Sequence, residues 1–472
     1  MRSASCFLAC VAVVSSHALA LAQPAAPTGG PRPPRTYDGP SLTLRQAIDE
    51  ALAGHPDLAA LRAEAEVAAA GPLRERTLMP PMFEGQVFQW PFNTASPANA
   101  QIMLTLSQEF PGRGKRDSRA ALAEKQAAMT ANQVSVRTSA LAGEVRRAYA
   151  DLYLARQSLE IFDATIELLQ QLVSVTEAKY ATGRTTQQDI VKALVEIARV
   201  EEQIVMATED AGMAEIRLNT LLNRAPDAPV GPISPPDAPA SLPDAADLQR
   251  VAREGQPELR GADLELAASE AARVVAESET KPDWVVRGGY MFMPEMTDAW
   301  TATVSMTWPR APWARKRIDA ETLEAQRMAD AARARRHALE RRVAQMVQEA
   351  LLRAKAARDR VELLRTSVLP QLEHSFDLAV VAYQTDRLGF GDVLDTERML
   401  LDARLDYHRA LNRRDVALAD LDQAVGQMSV PDVDRSPVPS AERRTPGVEL
   451  EPRAPSSGRA DLQVRRTPEN ES

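Results

Sequence analysis

The chain has 472 residues, roughly three domains by length, and its formal net charge of −9 argues against a general nucleic-acid binder. Both cysteines, Cys6 and Cys10, lie within the first ten residues, which excludes a disulfide framework and a cysteine-ligated zinc site in the rest of the chain. No glycine-rich phosphate loop, metal-ligand spacing or nucleophile elbow occurs, so we expect neither an enzyme nor a cofactor.

Residues 1–22 have the pattern of a bacterial secretory signal peptide. Arg2 precedes an apolar run at residues 6–14, and the small residues at 20–22 fit the motif before a cleavage site. We therefore predict an exported protein. The next segment, residues 23–41, is rich in proline and has little apolar surface to bury.

The rest of the chain is a tandem duplication. Motifs of the first half recur roughly 201 to 203 residues later: Gly54-His55-Pro56 as Gly255-Gln256-Pro257, Lys115-Arg116 as Lys316-Arg317, and Tyr180 and Asp189 as Tyr383 and Asp392. We place the two structural repeats at residues 42–224 and 244–427. The proline-rich residues 225–243 link them, and residues 428–472 are predicted to be a disordered tail.

Each repeat is predicted to contain one long helical hairpin, at about residues 117–223 and 316–427. Apolar residues from Leu141 to Val173 are spaced alternately by four and three, which is the a/d pattern of a coiled coil. The same spacing recurs in the second repeat, where Pro370 is expected to kink the helix. The remaining faces are charged, which is typical of helices that pack against one another.

Before each hairpin the apolar period changes to two, which predicts strand pairs at about residues 82–110 and 284–308. Along the last strand, the hydroxyl residues at 301, 303, 305 and 307 alternate with apolar ones. The apolar residues are Trp300, Ala302, Val304, Met306 and Trp308. A hydroxyl-rich face opposite an apolar face is typical of strands between water and lipid. We therefore assign Trp300, Val304, Met306 and Trp308 to the lipid face.

The number of strands determines the assembly that we expect. One chain supplies four strands, whereas a closed membrane barrel needs at least about eight, and an open sheet edge is not tolerated in lipid. Three copies would supply twelve strands. The predicted fold is therefore mainly α with a small membrane β part, in which a trimeric twelve-stranded barrel continues into a long helical barrel.

These features together resemble the TolC-like outer-membrane factor family, over residues 42–427. The motifs that carry the resemblance are Gly54-His55-Pro56, Ala178-Lys179-Tyr180, Asp189-Ile190-Val191, Val368-Leu369-Pro370, and Asp392-Val393-Leu394-Asp395. Residues 108–116 also resemble the strand-to-helix junction of the heavy-metal branch of the family. One departure is Asp386, which replaces the glycine expected after Tyr383-Gln384-Thr385 and puts the geometry of that turn in doubt.

The resemblance implies a homotrimeric channel in the outer membrane of a Gram-negative bacterium, in contact with outer-membrane lipid and with a large periplasmic part. It also implies two partners, a periplasmic adaptor and an inner-membrane pump of the RND type. The channel would be the exit duct of a tripartite efflux system. Heavy-metal ions are one candidate cargo, and small organic compounds are the other.

The resemblance further implies a gate at the periplasmic end, where Asp392 and Asp395 would line the aperture and Asp189 lies at the matching place on the first hairpin. Tyr383, with Arg184 and Arg387 as its possible partners, would form the contacts that hold the aperture shut. Asp392 and Asp395 are three residues apart on one side of a helix, and a trimer would turn each into a ring of carboxylates. The adaptor would dock at the hairpin turns, on Thr182, Gly183, Thr385 and Asp386. The alternative for each aspartate is a role at a helix N-terminus.

The sequence leaves two other functions open. The chain could be a protein-secretion conduit of the same family, because the pump rather than the channel determines the cargo. It could also be a periplasmic coiled-coil scaffold without a channel, although the alternation in residues 300–308 argues against this.

Overall fold

A computed structural model describes residues 35–88, 100–236, 239, 241–293 and 296–426. The predicted signal peptide, most of the proline-rich N-terminal segment and the predicted tail lie outside these residues. Both predicted repeats lie within them, apart from short interruptions and Gln427.

The two repeats follow one plan of short helices, a pair of strands and a long helical hairpin. The first contains α1 (Leu44–Gly54), α2 (Pro56–Ala69), α3 (Gly71–Arg76), β1 (Met82–Phe88), β2 (Gln101–Phe110), α4 (Lys115–Ala181) and α5 (Gln187–Leu221). The second contains α6 (Ala245–Gly255), α7 (Pro257–Ser278), β3 (Trp284–Phe292), β4 (Ala299–Met306), α8 (Arg315–Leu363), α9 (Leu369–Gln384) and α10 (Phe390–Val425).

The longest helix, α4, contains 67 residues and extends about 100 Å at ~1.5 Å per residue. It begins after Gly114, whose positive φ of 83° is a conformation that glycine adopts readily, and it contains no proline. The predicted coiled-coil positions face the core, since Leu141, Leu152 and Leu169 are fully buried. No helix within the described ranges combines the length and the apolar content needed to cross a membrane.

The second long helix differs at Pro370. Residues Leu364–Val368 form a π turn between α8 and α9, and the N–H group of Leu369 donates to the carbonyl of Leu364. A proline cannot donate a backbone hydrogen bond and crowds the preceding turn, and a wider π turn accommodates it without ending the helix. The expected interruption is therefore present as a π turn in an otherwise continuous helix.

The helices pack around several apolar clusters. α4 packs against α5 within the first hairpin and against α10 of the second, so the two hairpins lie side by side. Near the middle of α4, the buried hydroxyl of Tyr149 lies 2.9 Å from the carbonyl of Leu42 and 2.8 Å from that of Ser234. Leu42 and Ile233 form a parallel β bridge there, which fixes the linker against the first repeat.

The four strands form a single antiparallel sheet in the order β1-β2-β3-β4. The two predicted hairpins pair internally, and β2 also pairs with β3 from Phe110 opposite Trp284 to Ile102 opposite Phe292. β4 ends at Met306, so Trp308 lies just beyond the strand. Residues 89–99, between the strands of the first predicted pair, lie outside the described residues.

The apolar face of the sheet is exposed, which is the reverse of the arrangement in a water-soluble protein. The register places one apolar set on a common face: Phe83, Val87, Ile102, Leu104, Leu106, Phe110, Trp284, Val286, Tyr290, Phe292, Trp300, Val304 and Met306. Leu106 is 54% exposed and Trp300 is 82% exposed, whereas Thr105 on the opposite face is 5% exposed. A sheet of a water-soluble protein buries its apolar face, so this sheet is suited to an apolar surrounding.

A buried lysine joins sheet and helices where the two repeats meet. Lys115 begins α4 and is 1% exposed, and its ammonium group lies 2.8 Å from both Glu279 and Asp283 of the second repeat. Its counterpart Lys316 is exposed and has no ion-pair partner among the described residues. The segment that corresponds to Glu279 and Asp283 in the first repeat, residues 77–81, contains no acidic residue.

Candidate functional site at the hairpin turns

The first hairpin turn follows α4. Thr182 donates its hydroxyl to the carbonyl of Lys179 at 2.9 Å, and Gly183 adopts a positive φ of 71°. The N–H group of Arg184 donates back to the carbonyl of Lys179 at 2.9 Å. Thr182, Gly183 and Arg184 are exposed, which is the property that the predicted docking role requires.

The second turn repeats this geometry with a different residue. Asp386 occupies the position of Gly183 and has a positive φ of 60°. Thr385 donates its hydroxyl to the carbonyl of Val381 at 3.0 Å, and the N–H group of Arg387 donates to the carbonyl of Ala382 at 2.9 Å. The left-handed conformation is therefore kept without glycine, because aspartate tolerates it better than most residues.

Lys179 connects the two turns. Its ammonium group lies 2.6 Å from the Asp386 carboxylate and 4.1 Å from the ring centroid of Tyr383, and it donates to the carbonyl of Tyr383. The hydrogen bond from Lys179 holds the pKa of Asp386 below its ordinary value, and the charge of Arg184 acts in the same direction. The end of the first hairpin is thus tied to the end of the second.

Tyr383 is 4% exposed, and its partners differ from those that we expected. Its hydroxyl donates to the hydroxyl of Thr176 at 3.2 Å rather than meeting an arginine. Arg184 instead lies 3.6 Å from Asp386, and Arg387 has no ion-pair partner in the described part of the chain. Within one chain, the buried ring of Tyr383 points toward α4, and its pairing with these arginines in a closed aperture stays a prediction.

Asp189 has the geometry of a helix cap. It forms a capping box with Thr186 at the start of α5, and its carboxylate accepts the hydroxyls of Thr185 at 2.8 Å and Thr186 at 2.9 Å. Burial raises the pKa of the Asp189 carboxyl, but hydrogen bonds from Thr185, Thr186 and Lys192 outweigh burial and leave its pKa below the ordinary value. The alternative role at a helix N-terminus explains all of these contacts.

Asp392 and Asp395 lie in the first turns of α10, and both side chains are exposed. Asp395 accepts a hydrogen bond from Arg398 at 3.2 Å. They share one side of the helix, as their spacing predicts, and their place in an aperture stays a prediction. Among the described residues, no three histidine, cysteine, aspartate or glutamate side chains converge into a group that could hold a metal ion.

Three charged residues near the turns did not appear among the predicted site residues. Arg398 donates to Glu196 of α5 at 2.5 Å, so it bridges the return helices of the two hairpins. Glu397, the next residue before it, is 2% exposed. A sequence signal existed, because Glu397 is spaced by three or four residues from apolar neighbours on α10 and therefore lies on its apolar face.

Exposure on the apolar face of the sheet agrees with the residues assigned to lipid. Val304 is 65% exposed, Met306 50% and Trp308 64%. Trp308 also packs edge-on against Trp313, with their ring centroids 6.2 Å apart. Aromatic side chains at the end of an apolar face are typical of the boundary between lipid and water.

Comparisons with known proteins identify the family. The profile of the family described as outer membrane efflux protein matches residues 47–224 and again residues 248–427. The cobalt-zinc-cadmium resistance protein CzcC of Cupriavidus metallidurans is 24% identical over 397 residues, which cover 84% of this chain and 92% of CzcC. The solved outer-membrane channel OprN superposes with a TM-score of 0.70 at 20% identity and covers 81% of this chain and 89% of its own.

A second solved structure, CusC, superposes with a TM-score of 0.68 at 18% identity and covers 81% of this chain and 92% of its own. CusC forms a transmembrane channel. The fold predicted from the residues is confirmed, with long helices, a small sheet and a duplicated order of elements. The double match of one profile to the two repeats covers most of the sequence, and the chain therefore belongs to the outer membrane efflux protein family.

Proposed function

We propose that this protein is the outer-membrane exit duct of a tripartite efflux system, working as a homotrimer with a periplasmic adaptor and an inner-membrane pump of the RND type. The observation that carries the proposal is the sheet. It exposes an apolar face opposite a face with hydroxyl side chains, of which the central Thr105 and Ser107 are buried and Thr303 and Ser305 are exposed. The outer edges of β1 and β4 have no partner strand among the described residues. Lipid on one side and a water-filled bore on the other satisfy both faces.

A trimer satisfies the two open edges. If β4 of one copy pairs with β1 of the next, three chains close a twelve-stranded barrel and no edge remains in lipid. The helical part has apolar side chains to cover as well. Val67 is 76% exposed and Leu73 69% exposed near the end of the opening helices, and Leu323 and Met328 are more than half exposed on α8.

The gate lies where the hairpins turn. Rings of Asp392 and Asp395 would attract cations at the aperture, and the contacts of Lys179 with Asp386 and Tyr383 would hold it closed. Opening requires the second hairpin to leave the first, which breaks these contacts. The exposed turn residues Thr182, Gly183, Thr385 and Asp386 would meet the adaptor.

We favour heavy-metal ions as the cargo. The name of CzcC describes resistance to cobalt, zinc and cadmium, and its similarity extends over most of both chains. Two acidic rings would also concentrate divalent cations at the entrance. Small organic compounds and secreted proteins are the competing cargoes, and growth of a deletion strain on cobalt, zinc, cadmium and an organic toxicant separates them.

The deciding experiment is the native mass of the protein after mild detergent extraction from outer membranes. A trimer that conducts ions in planar bilayers is the expected result. A monomer, or recovery in the soluble periplasmic fraction, would overturn the proposal and favour the periplasmic scaffold.

A further inference from the structure

A buried pair of carboxyl groups lies between the two hairpins above their turns. Glu397 of α10 is 2% exposed, and its Oε2 atom has no hydrogen-bond partner in the described part of the chain. Glu196 of α5 is 5% exposed. The two helices meet only briefly, so this pair lies at one of their few points of contact.

Arg398 binds one acid of the pair. Its guanidinium lies 2.5 Å from Glu196 and also reaches Asp395 at 3.2 Å, while its buried Nε atom has no partner among the described residues. Burial, and after it the charge of Glu196, raise the pKa of the Glu397 carboxyl to about 7 against the opposing effects of Arg398 and Arg404. Glu397 therefore changes its protonation near neutral pH.

The other charged groups around the pair are already engaged or lie in solvent. On α5, Arg199 is 3.7 Å from Glu196. On α10, Arg404 pairs with Glu373 of α9 at 3.3 Å, and Asp402 is exposed.

At the same level on α4, Asp163 pairs with Arg35 at 2.6 Å, and Glu167 is exposed. None of these groups supplies a second buried cation to Glu397.

We propose that Glu397, Glu196 and Arg398 form a proton-sensitive latch between the return helices of the two hairpins. With Glu397 protonated, Arg398 holds Glu196 and the helices stay together. When Glu397 loses its proton, a second buried anion lies beside Glu196 without an ion-pair partner of its own among the described residues, and separation of α5 from α10 lets water solvate both. The latch rests on the proposed duct function, because it would make opening of the gate depend on pH.

The difference in the pKa of Glu397 between the packed and the separated arrangements determines which pH favours separation of the helices. The packed arrangement binds the Glu397 proton more tightly than a separated, hydrated arrangement, in which the pKa returns toward its ordinary 4.5. Raising the pH therefore favours separation. With a packed pKa of about 7, the ratio of separated to packed forms rises roughly 70-fold from pH 5 to pH 8.

Spin labels test the latch directly. Val195→Cys on α5 and Met399→Cys on α10 introduce nitroxide labels at positions about half exposed beside the pair. In the detergent-solubilised full chain, we expect the distance between labels to be short at pH 5 and longer at pH 8. Glu397→Gln mimics the protonated acid and should stay short at both pH values, as should Glu397→Met if the glutamine variant does not fold.

Glu202→Gln is the matched control, since it removes an exposed carboxyl from α5 and should keep the wild-type response. A wild-type distance that does not change with pH, or a change that persists in Glu397→Gln, would overturn the latch. A planar-bilayer recording tests the proposed duct function separately from the latch. Labels that move in a protein without ionic current would leave the latch standing and refute the duct.

Discussion

Lys179 belongs to the first repeat, but its main partners, Asp386 and Tyr383, lie in the second, more than 200 residues away along the chain. The turns themselves were predictable, because their threonine and glycine or aspartate residues are local signals. The contact between the two turns was not predictable, because no local sequence pattern shows which side chains of the two repeats meet. For the same reason Arg398 could not be paired with Glu196 from sequence.

Replacing Lys179 should loosen the gate. Lys179→Met keeps the length and apolar stem of the side chain but removes the charge that contacts Asp386 and the Tyr383 ring. We expect the open fraction in planar-bilayer recordings to rise several-fold. Lys192→Met is the control, because Lys192 contacts Asp189 on its own helix. Equal open fractions in Lys179→Met and wild type would contradict this assignment.

The two exposed aspartates should determine ion selectivity. In the double variant Asp392→Asn and Asp395→Asn, the proposed rings lose their charge while the side chains keep their shape. We expect the reversal potential in a salt gradient to move toward that of an unselective pore. Asp402→Asn removes an exposed acid farther along α10 and should leave the reversal potential unchanged. Unaltered selectivity in the double variant would place both residues away from the aperture.

Periodicity was sufficient to predict the helices and strands. The spacing by four and three identified the buried side of α4, and strict alternation identified the exposed face of β4. Two features were not predictable from periodicity. One is the β2–β3 pairing that joins the repeats, which depends on contacts between elements, and the other is the local form of the helix before Pro370, a π turn.

The π turn should act as the flexible point of the second hairpin. Pro370→Ala restores a backbone donor and removes the crowding of the preceding turn, so a regular helix becomes accessible. We expect slower amide hydrogen exchange around residues 364–370 and a smaller open fraction. Pro81→Ala, outside any helix, should change neither. Unchanged exchange would mean that the π turn does not depend on the proline.

The junction between sheet and helices should depend on Lys115. Lys115→Met leaves Glu279 and Asp283 without their buried cation, and we expect a loss of about 3 kcal/mol in the free energy of unfolding, measured by urea titration in detergent. This is the lower end for a buried pair, because both acids are partly exposed. Lys316→Met, the matched change in the other repeat, should cost less than about 0.5 kcal/mol. Equal losses of unfolding free energy in Lys115→Met and Lys316→Met would show that the two junctions do not differ.

The same junction predicts that the stability of the protein depends on pH in the acid range. Burial raises the pKa values of Glu279 and Asp283, but hydrogen bonds and charge from Lys115 outweigh it and leave both below the ordinary 4.5 and 3.8. Their contribution to stability is therefore complete above about pH 4.5 and is lost as the pH falls through the lowered values. Wild type and Lys115→Met should accordingly converge in stability at low pH.

For the whole molecule, the strand count alone indicated that one chain is incomplete. The structure adds where the other copies of the proposed trimer would pack, at the open edges of β1 and β4 and on the apolar surfaces of the opening helices and α8. The match of one family profile to each repeat agrees with the duplication that the motifs predict. The cargo could not be predicted in the same way, because no described side-chain cluster is specific for one solute.

Charge on the apolar face of the sheet should prevent membrane insertion. Val304→Arg places a cation on the face that we assign to lipid, at a cost of about 2–4 kcal/mol near the middle of the membrane. We expect less protein in the outer-membrane fraction. Ser305→Arg faces the other side, in the row that contains Glu109, and should insert normally. Normal insertion of both variants would show that this face does not contact lipid.

The unmatched Lys316 has a consequence for symmetry. In the proposed trimer, three copies of a duplicated chain would form a ring of six similar halves. Among the described residues, a buried ammonium between two carboxylates occurs at the joint between the two halves of one chain and not at Lys316. Joints of two strengths would therefore alternate around the ring. Mechanical load would be taken up first at the weaker joints between chains, so the ring would deform with three-fold rather than six-fold symmetry and the two halves of each chain would move as one rigid unit.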